Sequence, residues 1–391
     1  MDLNSIRADF PILQEEIIYF DNACMTLRPR QVVEAMNEYY EKYSACAGRS
    51  NHQLAEKVHE KFEEARGIVA NFIGAKENEI VFTRNTTEGI NLIAHGLGLK
   101  AEDKVVTSDK EHNSNLVPWQ IAGVNHVVVP STAENTFDLE KFKELVEGAR
   151  LVSIGYTANL DGVTVPLKEI IDIAHAAGAL VLVDAAQAAG HHPINVKDLD
   201  ADFLAFSGHK LLGPTGTGVL YGKYELLEKL KPFITGGDTV EKTTYKDHIL
   251  LPPPEKFEAG LQDYAGIIGL GAAIKYLQKV GFEFIQKQEF ELNKFVTEEL
   301  SDTPIKIIGP TDPAQRGGIY SFYLEGMEPH QISLMLDQNA KIAIRSGQHC
   351  VHSWFEARDI DGSARASFYF YNSLEEVKIF VDHLKQFISI I

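Results

Sequence analysis

The chain encodes an α/β fold: a mostly parallel sheet with helices on both faces, followed by a smaller α+β domain. Three features point there. Short β-rich runs alternate with helical stretches from residue 79 to 207, the rhythm of a parallel sheet. With 391 residues, 45% of them hydrophobic, the chain exceeds what one core usually organises, roughly 250–300 residues. Polar residues of chemical interest fall at the C-terminal ends of the β-runs, where such sheets collect ligands.

Taken in order, residues 31–44 and 52–73 carry apolar residues at three- and four-residue spacing and read as helices. The run EIVFT (79–83) precedes a helix at 87–98, and KVVTS (104–108) and HVVVP (126–130) follow. LVSIGY (151–156), ALVLVD (179–184) and DFLAFS (202–207) bracket helices at 138–147 and 166–177. Residues 236–264, with Pro252-Pro253-Pro254, read as an irregular active-site or subunit-contact loop. Helices at 265–280 and 281–301 lead out of the first domain. Beyond them lie strands near 318–324, 341–345 and 365–370, with helices at 329–338 and 373–389. The expected division is an arm at 1–18 joining the small domain, a large domain at 19–280 and a small domain at 281–391.

Thirty-seven basic residues against 55 acidic ones give a net charge of −18, which disfavours nucleic acid and anionic membranes as partners. Cys24, Cys46 and Cys350 show no paired spacing, arguing against a disulfide framework and a metal site. The start, MDLNSIRADFPIL, has neither a basic nor an apolar leader region. No apolar run approaches the roughly 18 residues of a membrane span. A cytoplasmic protein is expected.

The chemistry centres on VLVDAAQAAGHHPINVKDLDADFLAFSGHK, which ends at Lys210. Asp184 closes one β-run, Gln187 follows about one turn later, and Ser207-Gly208-His209-Lys210 close another. Pyridoxal phosphate needs a lysine for its Schiff base and an acid against its pyridine nitrogen. Alone, Asp184 reads as a helix cap and Lys210 as a solvated loop residue. Together, with Gly-Pro-Thr-Gly just beyond, they read as a cofactor site.

From YFDNA (19–23) through VDAAQAAGHHP, FSGHKLLGPTGTGVLYGK, FEAG and RSGQHC to RASFYFYN (365–372), the chain resembles the SUF-type (group II) cysteine desulfurases and selenocysteine lyases. These belong to the class V aminotransferase superfamily of fold-type I pyridoxal phosphate enzymes. The resemblance runs almost end to end and implies a seven-stranded sheet and a homodimer. It makes Lys210 the Schiff-base lysine and base, Asp184 the partner of the pyridine nitrogen, and Gln187 that of the phenolic oxygen. His112, in KEHNSNLVPW, becomes the ring-stacking histidine, expected to titrate near neutrality and shuttle protons. Thr86 and Thr87 would bind phosphate at a helix start, with Ser207 and His209 adding donors; Thr86 otherwise reads as the N-cap. Gly260 would reach the neighbouring subunit's phosphate. Arg365 would clamp the substrate carboxylate, and Asn159 would contact that carboxylate or the cofactor oxygen.

Cys350 matches the cysteine that takes sulfur from L-cysteine, leaving alanine; a small buried hydrophobe is its plain alternative. Arg345, His349 and His352 are close enough in sequence to favour a thiolate. The chain departs from the family's pattern at Asn113 (a second histidine is usual), at Leu261 (threonine is usual) and after Cys350. Cys24 stands where alanine is usual, as a harmless replacement or as a second thiol at the site. The implied activity is a pyridoxal phosphate-dependent cysteine desulfurase passing persulfide sulfur to an acceptor protein, such as an iron–sulfur scaffold or sulfur carrier. The alternatives are a selenocysteine lyase, aminotransferase or racemase, or a non-catalytic pyridoxal phosphate-binding partner.

Overall fold

The structure, a computed structural model, describes residues 2–48 and 50–390. Its centre is a seven-stranded sheet of β1 (Ile80–Thr83), β2 (Lys104–Ser108), β3 (Asn125–Val129), β4 (Ala149–Gly155), β5 (Leu180–Asp184), β6 (Phe203–Ser207) and β7 (Gly218–Gly222), in the order β1-β7-β6-β5-β4-β2-β3. Only β7 runs against its neighbours, β1 and β6. The six β-runs expected between 79 and 207 are all strands, within two residues at each end. The sheet is apolar on both faces: β1, β6 and β7 are buried at every position. One core contains Val152, Val181 and Phe206; another, on alternate residues, contains Leu151, Leu182 and Ala205. Period-two alternation sends successive side chains to opposite faces, so helices must cover both.

Close packing explains two glycines. A Cβ on Gly208 would meet Thr217 Oγ1 at 2.1 Å, and one on Gly218 would meet Asn85 Cα at 2.5 Å. Neither neighbour can move cheaply, so the turn after β6 and the start of β7 need a bare backbone. The helix Thr86–Gly96 is thereby drawn against the end of β7.

The smaller unit is a four-stranded antiparallel sheet, ordered β8 (Lys306–Ile308), β9 (Ile319–Tyr323), β11 (Ser363–Ser367) and β10 (Arg345–Gly347). Helices Phe282–Glu299, Pro329–Ala340 and Leu374–Ile390 accompany it. Residues 341–345, expected as one strand, divide: Ile342–Ala343 pairs in parallel with Ile18–Tyr19, and Arg345–Gly347 joins β11. The N-terminal segment touches both cores, with Ile6 and Phe10 in the large one and Phe20 in the small one.

Residues 236–264 are not wholly irregular. Val240–Thr243 and His248–Leu250 form an antiparallel hairpin that stands mostly in solvent. Without a buried face it carries no alternating pattern for the sequence to announce. The hairpin leads into FEAG, where buried Glu258 accepts 2.9 Å hydrogen bonds from Arg66 Nη1 and Nη2. The backbone N–H of Phe82 donates to the same carboxylate at 2.7 Å. Glu258 therefore anchors the segment carrying Gly260 to β1 and the helix Gln53–Ile73.

Candidate active site

The C-terminal ends of β2, β4, β5 and β6 converge on a cavity of about 250 Å³. Thr86, Thr87, His112, Asn159, Asp184, Gln187, Ser207, His209, Lys210 and Arg365 all line it. Residues drawn from nearly three hundred positions of sequence thus meet in one place. Two expected residues do not line it: Gly260, on the segment anchored by Glu258, and Cys350.

Lys210 ends a single 3₁₀ turn, Gly208–Lys210, directly after β6. The N-terminal segment clamps this turn: Thr26 N–H donates to the His209 carbonyl at 3.0 Å, and Leu212 N–H donates to Thr26 Oγ1 at 2.8 Å. Burial pulls the Lys210 ammonium below its ordinary range, partly offset by Asp184 and reinforced by Arg365. Burial pushes the Asp184 carboxyl up, opposed by the Ala186 N–H and by Lys210. The Ala186 N–H donates to Asp184 Oδ1 at 2.9 Å. The residues after Asp184 form successive turns rather than a helix, and there Gln187 Nε2 donates to the Ala23 carbonyl at 2.7 Å.

Asn85, not Thr86, caps the helix Thr86–Gly96, its side chain accepting from Glu88 N–H at 3.0 Å. Thr86 is thereby free to pair with β6: its N–H donates to Ser207 Oγ at 2.8 Å, and the two hydroxyls lie 2.7 Å apart. Thr87 Oγ1 lies 2.7 Å from Ser114 Oγ, which connects this helix start to the turn carrying His112.

His112 departs from its expected titration. Burial first, then Lys210, Arg345 and Arg365, hold its pKa at about 3, so the imidazole is neutral. Its Nδ1 accepts from Ser114 N–H at 3.1 Å, which leaves the proton on Nε2. His209 is likewise neutral, held at about 4 by burial and then Lys210.

Sequence reasoning passed over Glu111. It lines the cavity, and its buried carboxyl accepts from Ser108 Oγ at 2.6 Å, Asn115 Nδ2 at 2.7 Å and Gly155 N–H at 3.0 Å. Burial raises its pKa to about 7, with the Asp184 charge adding to the rise. An acid beside the candidate histidine in KEHNSN was the available signal.

Arg365 lies on β11 and is 1% exposed. Its Nη1 donates to the Asn159 carbonyl at 2.8 Å, and Nη2 reaches Asp21 at 3.5 Å. Burial lowers its pKa to about 10, with Asp21 opposing. Two buried nitrogens of cavity-lining residues, Arg365 Nε and His349 Nδ1, lack a hydrogen-bond partner among the described residues. An unpaired guanidinium N–H such as Arg365 Nε is what an anionic ligand would satisfy. A buried lysine, a buried carboxyl opposite it and a helix start with hydroxyls also suit a phosphorylated aldehyde carrying a basic ring.

Cys350 sits on the loop after Arg345–Gly347, with His349 and Cys350 both in the left-handed region (φ 50° and 60°). Of its three basic neighbours, Arg345 points a donor at the sulfur, Nη2 standing 3.8 Å from Sγ. His349 pairs with Ser363 at 2.7 Å and His352 with Asn113 at 2.8 Å. Asn113, in place of the usual second histidine, therefore joins the thiol loop to the large domain. Its backbone N–H also donates to the Cys350 carbonyl at 2.7 Å.

This architecture, a lysine and a carboxyl at strand ends of a mostly parallel sheet with a small domain closing over them, defines a fold-type I enzyme scaffold. Residues 18–380 match the aminotransferase class-V family, and the chain belongs to it. A probable cysteine desulfurase of Pyrococcus abyssi is 42% identical over 391 residues, covering 98% of this chain and 97% of that protein. The apo structure of cysteine desulfurase from Thermococcus onnurineus superposes with a TM-score of 0.95 at 42% identity, covering 99% of this chain and 98% of that one. The cysteine desulfurase CsdA (S-sulfonic acid) from Escherichia coli gives a TM-score of 0.92 at 33% identity, covering 100% of this chain and 99% of that one. The seven-stranded α/β architecture is that of these enzymes, and the family implies pyridoxal phosphate. Among the described residues no helix is long and apolar enough to cross a membrane, and no cluster could hold a metal ion.

Proposed function

We propose that the chain is a pyridoxal phosphate-dependent cysteine desulfurase of the SUF type, converting L-cysteine to L-alanine. The observation that carries this reading is Cys350, held on a loop beside Arg345 at the margin of a lysine–carboxylate site. An aminotransferase has no use for a thiol there.

Lys210 would hold the cofactor, Asp184 would keep a proton at its ring nitrogen, and Thr86, Ser207 and His209 would hold its phosphate. When bound, the group supplies an electron sink for the substrate's Cα carbanion. Arg365 orients the substrate: Nε is unpaired and Nη2 is held only loosely, and these two donors form one side of the planar fork a carboxylate fits. Lys210, whose ammonium burial pulls below its ordinary range, takes up the Cα proton. His112 presents a neutral Nε2–H that can hydrogen-bond a substrate atom without adding charge. The Cys350 thiolate attacks the substrate sulfur; an S–S bond forms as the Cβ–S bond breaks, leaving a persulfide on Cys350 and the alanine skeleton.

The working form we propose is a cytoplasmic homodimer. The hairpin segment exposes Tyr245, Ile249 and Leu261, an apolar set suited to a subunit contact that would bring Gly260 to the neighbour's site. Three free cysteines fit a reducing compartment. An acceptor protein, an iron–sulfur scaffold or a sulfur carrier, would take the sulfur. The test is product formation: the cofactor-loaded protein should release one alanine for each sulfide from L-cysteine with a reductant present, and Lys210→Ala should release none. Equal activity in Lys210→Ala would overturn the reading.

A further inference from the structure

Arg345 holds two sulfurs rather than one. Its Nη1 lies 2.9 Å from Cys24 Sγ, and its Nη2 lies 3.8 Å from Cys350 Sγ. These nitrogens end one rigid plane, so cysteines from opposite ends of the chain meet at a single fork. Cys24 lines the cavity with Lys210, and Cys350 does not. Both are partly exposed. A cysteine that merely replaces a small residue behaves as a hydrophobe. Cys24 instead accepts from a guanidinium and hydrogen-bonds the Asp21 carboxylate.

We propose that Cys24 is a second sulfur-carrying residue, which takes the outer sulfur of the Cys350 persulfide by thiol–persulfide exchange. The proposal rests on the desulfurase reading and deepens it. The Cys24 thiolate attacks the outer sulfur, and a new S–S bond forms at Cys24 Sγ. The bond from that sulfur to Cys350 Sγ breaks. Its electron pair stays on Cys350 Sγ, which takes up the proton Cys24 gave away. The transferred sulfur keeps its oxidation state, so neither an oxidant nor a reductant is needed. Negative charge begins on one sulfur and ends on the other, and the same guanidinium faces both, so the exchange needs no movement of the countercharge. Cys350 is returned as a thiol, ready to accept again, while the first sulfur waits inside the cavity.

The test counts alanine and locates sulfur. The cofactor-loaded protein is mixed with L-cysteine without reductant, quenched with an alkylating agent, and its cysteine peptides are read by mass spectrometry. Capture of product on the enzyme shows as a burst. The expected burst is about two alanines per subunit, with an added sulfur on both the Cys24 and Cys350 peptides. Cys24→Ala and Cys24→Ser should each lower it to about one, with sulfur on Cys350 alone. Cys350→Ala should give no burst and no sulfur on Cys24. A burst of about one in the intact protein, with Cys24 unmodified, overturns the proposal and leaves the desulfurase reading standing. So does a Cys24–Cys350 disulfide formed with release of hydrosulfide, which would mean attack at the inner sulfur. Sulfur on Cys24 in Cys350→Ala overturns it too, making Cys24 a direct acceptor. Alanine without sulfur on either peptide would instead remove the persulfide reading itself.

Discussion

The side-chain amide of Asn159 donates a 2.7 Å hydrogen bond to the backbone carbonyl of His349, in a buried setting and across 190 residues of sequence. The carbonyl of Asn159 in turn accepts from Arg365 Nη1 at 2.8 Å. One residue of the large domain thus fixes both the substrate-clamping arginine and the loop that presents Cys350. One Nδ2–H of its side chain is spent on that loop, and the residue also lines the cavity. Replacing Asn159 with Ala leaves the His349 carbonyl unpaired, a loss of about 1–3 kcal/mol. The expected result in the cofactor-free protein is faster alkylation of Cys350 with Cys46 unchanged. An unaltered Cys350 rate would show that the loop is held by its other bonds.

A second prediction concerns acid. The folded-state pKa of His112, about 3, lies far below the ordinary value of 6.5. An unfolded chain takes up this proton as pH falls through about 6.5, and the folded chain does not until about 3. Stability present above 6.5 is therefore lost progressively across that window. In the cofactor-free protein, His112→Gln should flatten the fall in melting temperature between pH 7 and 4. Parallel curves for the two proteins would contradict the neutral, buried assignment.

Glu258 gives a third. Removing one partner of a buried pair typically costs about 3–5 kcal/mol because the other charge stays behind, and Arg66 would be that charge. Glu258→Gln should lower the melting temperature by several degrees. It should also loosen residues 259–262, read as faster amide exchange there than in β1. A uniform increase across the chain would argue against a local anchor.

Leu261 supplies the fourth. It is 66% exposed and directly follows Gly260, where the family resemblance implies a threonine. If Gly260 and its neighbour reach a phosphate across the dimer, Leu261→Thr adds one hydrogen bond, worth about 1 kcal/mol. Pyridoxal phosphate should then bind roughly five times more tightly. No change in affinity would remove this segment from the phosphate site.

The sequence showed the sheet clearly because its strands are continuous apolar runs with turn residues between them. It showed Lys210, Asp184 and Arg365 because charged residues at the ends of such runs have few structural uses. The hairpin at 240–250 stayed hidden, since strands exposed on both faces carry no period. Asn85 was passed over because a cap and a phosphate ligand draw on the same polar residues, and Thr86 looked suited to both. Glu111 lay in a quoted motif but acts through partners on β2 and β4 that only folding assembles. The neutrality of His112 comes first from burial and then from three cations far apart in sequence, Lys210, Arg345 and Arg365. The shared fork at Arg345 was equally out of reach, because Cys24 and Cys350 become neighbours only when the N-terminal segment crosses to the small domain.

The central claim is that Cys350 takes sulfur from L-cysteine. The most direct measurement is alanine and sulfide release by the cofactor-loaded protein with a reductant, compared with Cys350→Ala. Equal amounts of both products from the intact protein, and neither from the variant, are the predicted result. Full activity in Cys350→Ala would contradict it and point to elimination without a thiol, as a selenocysteine lyase performs.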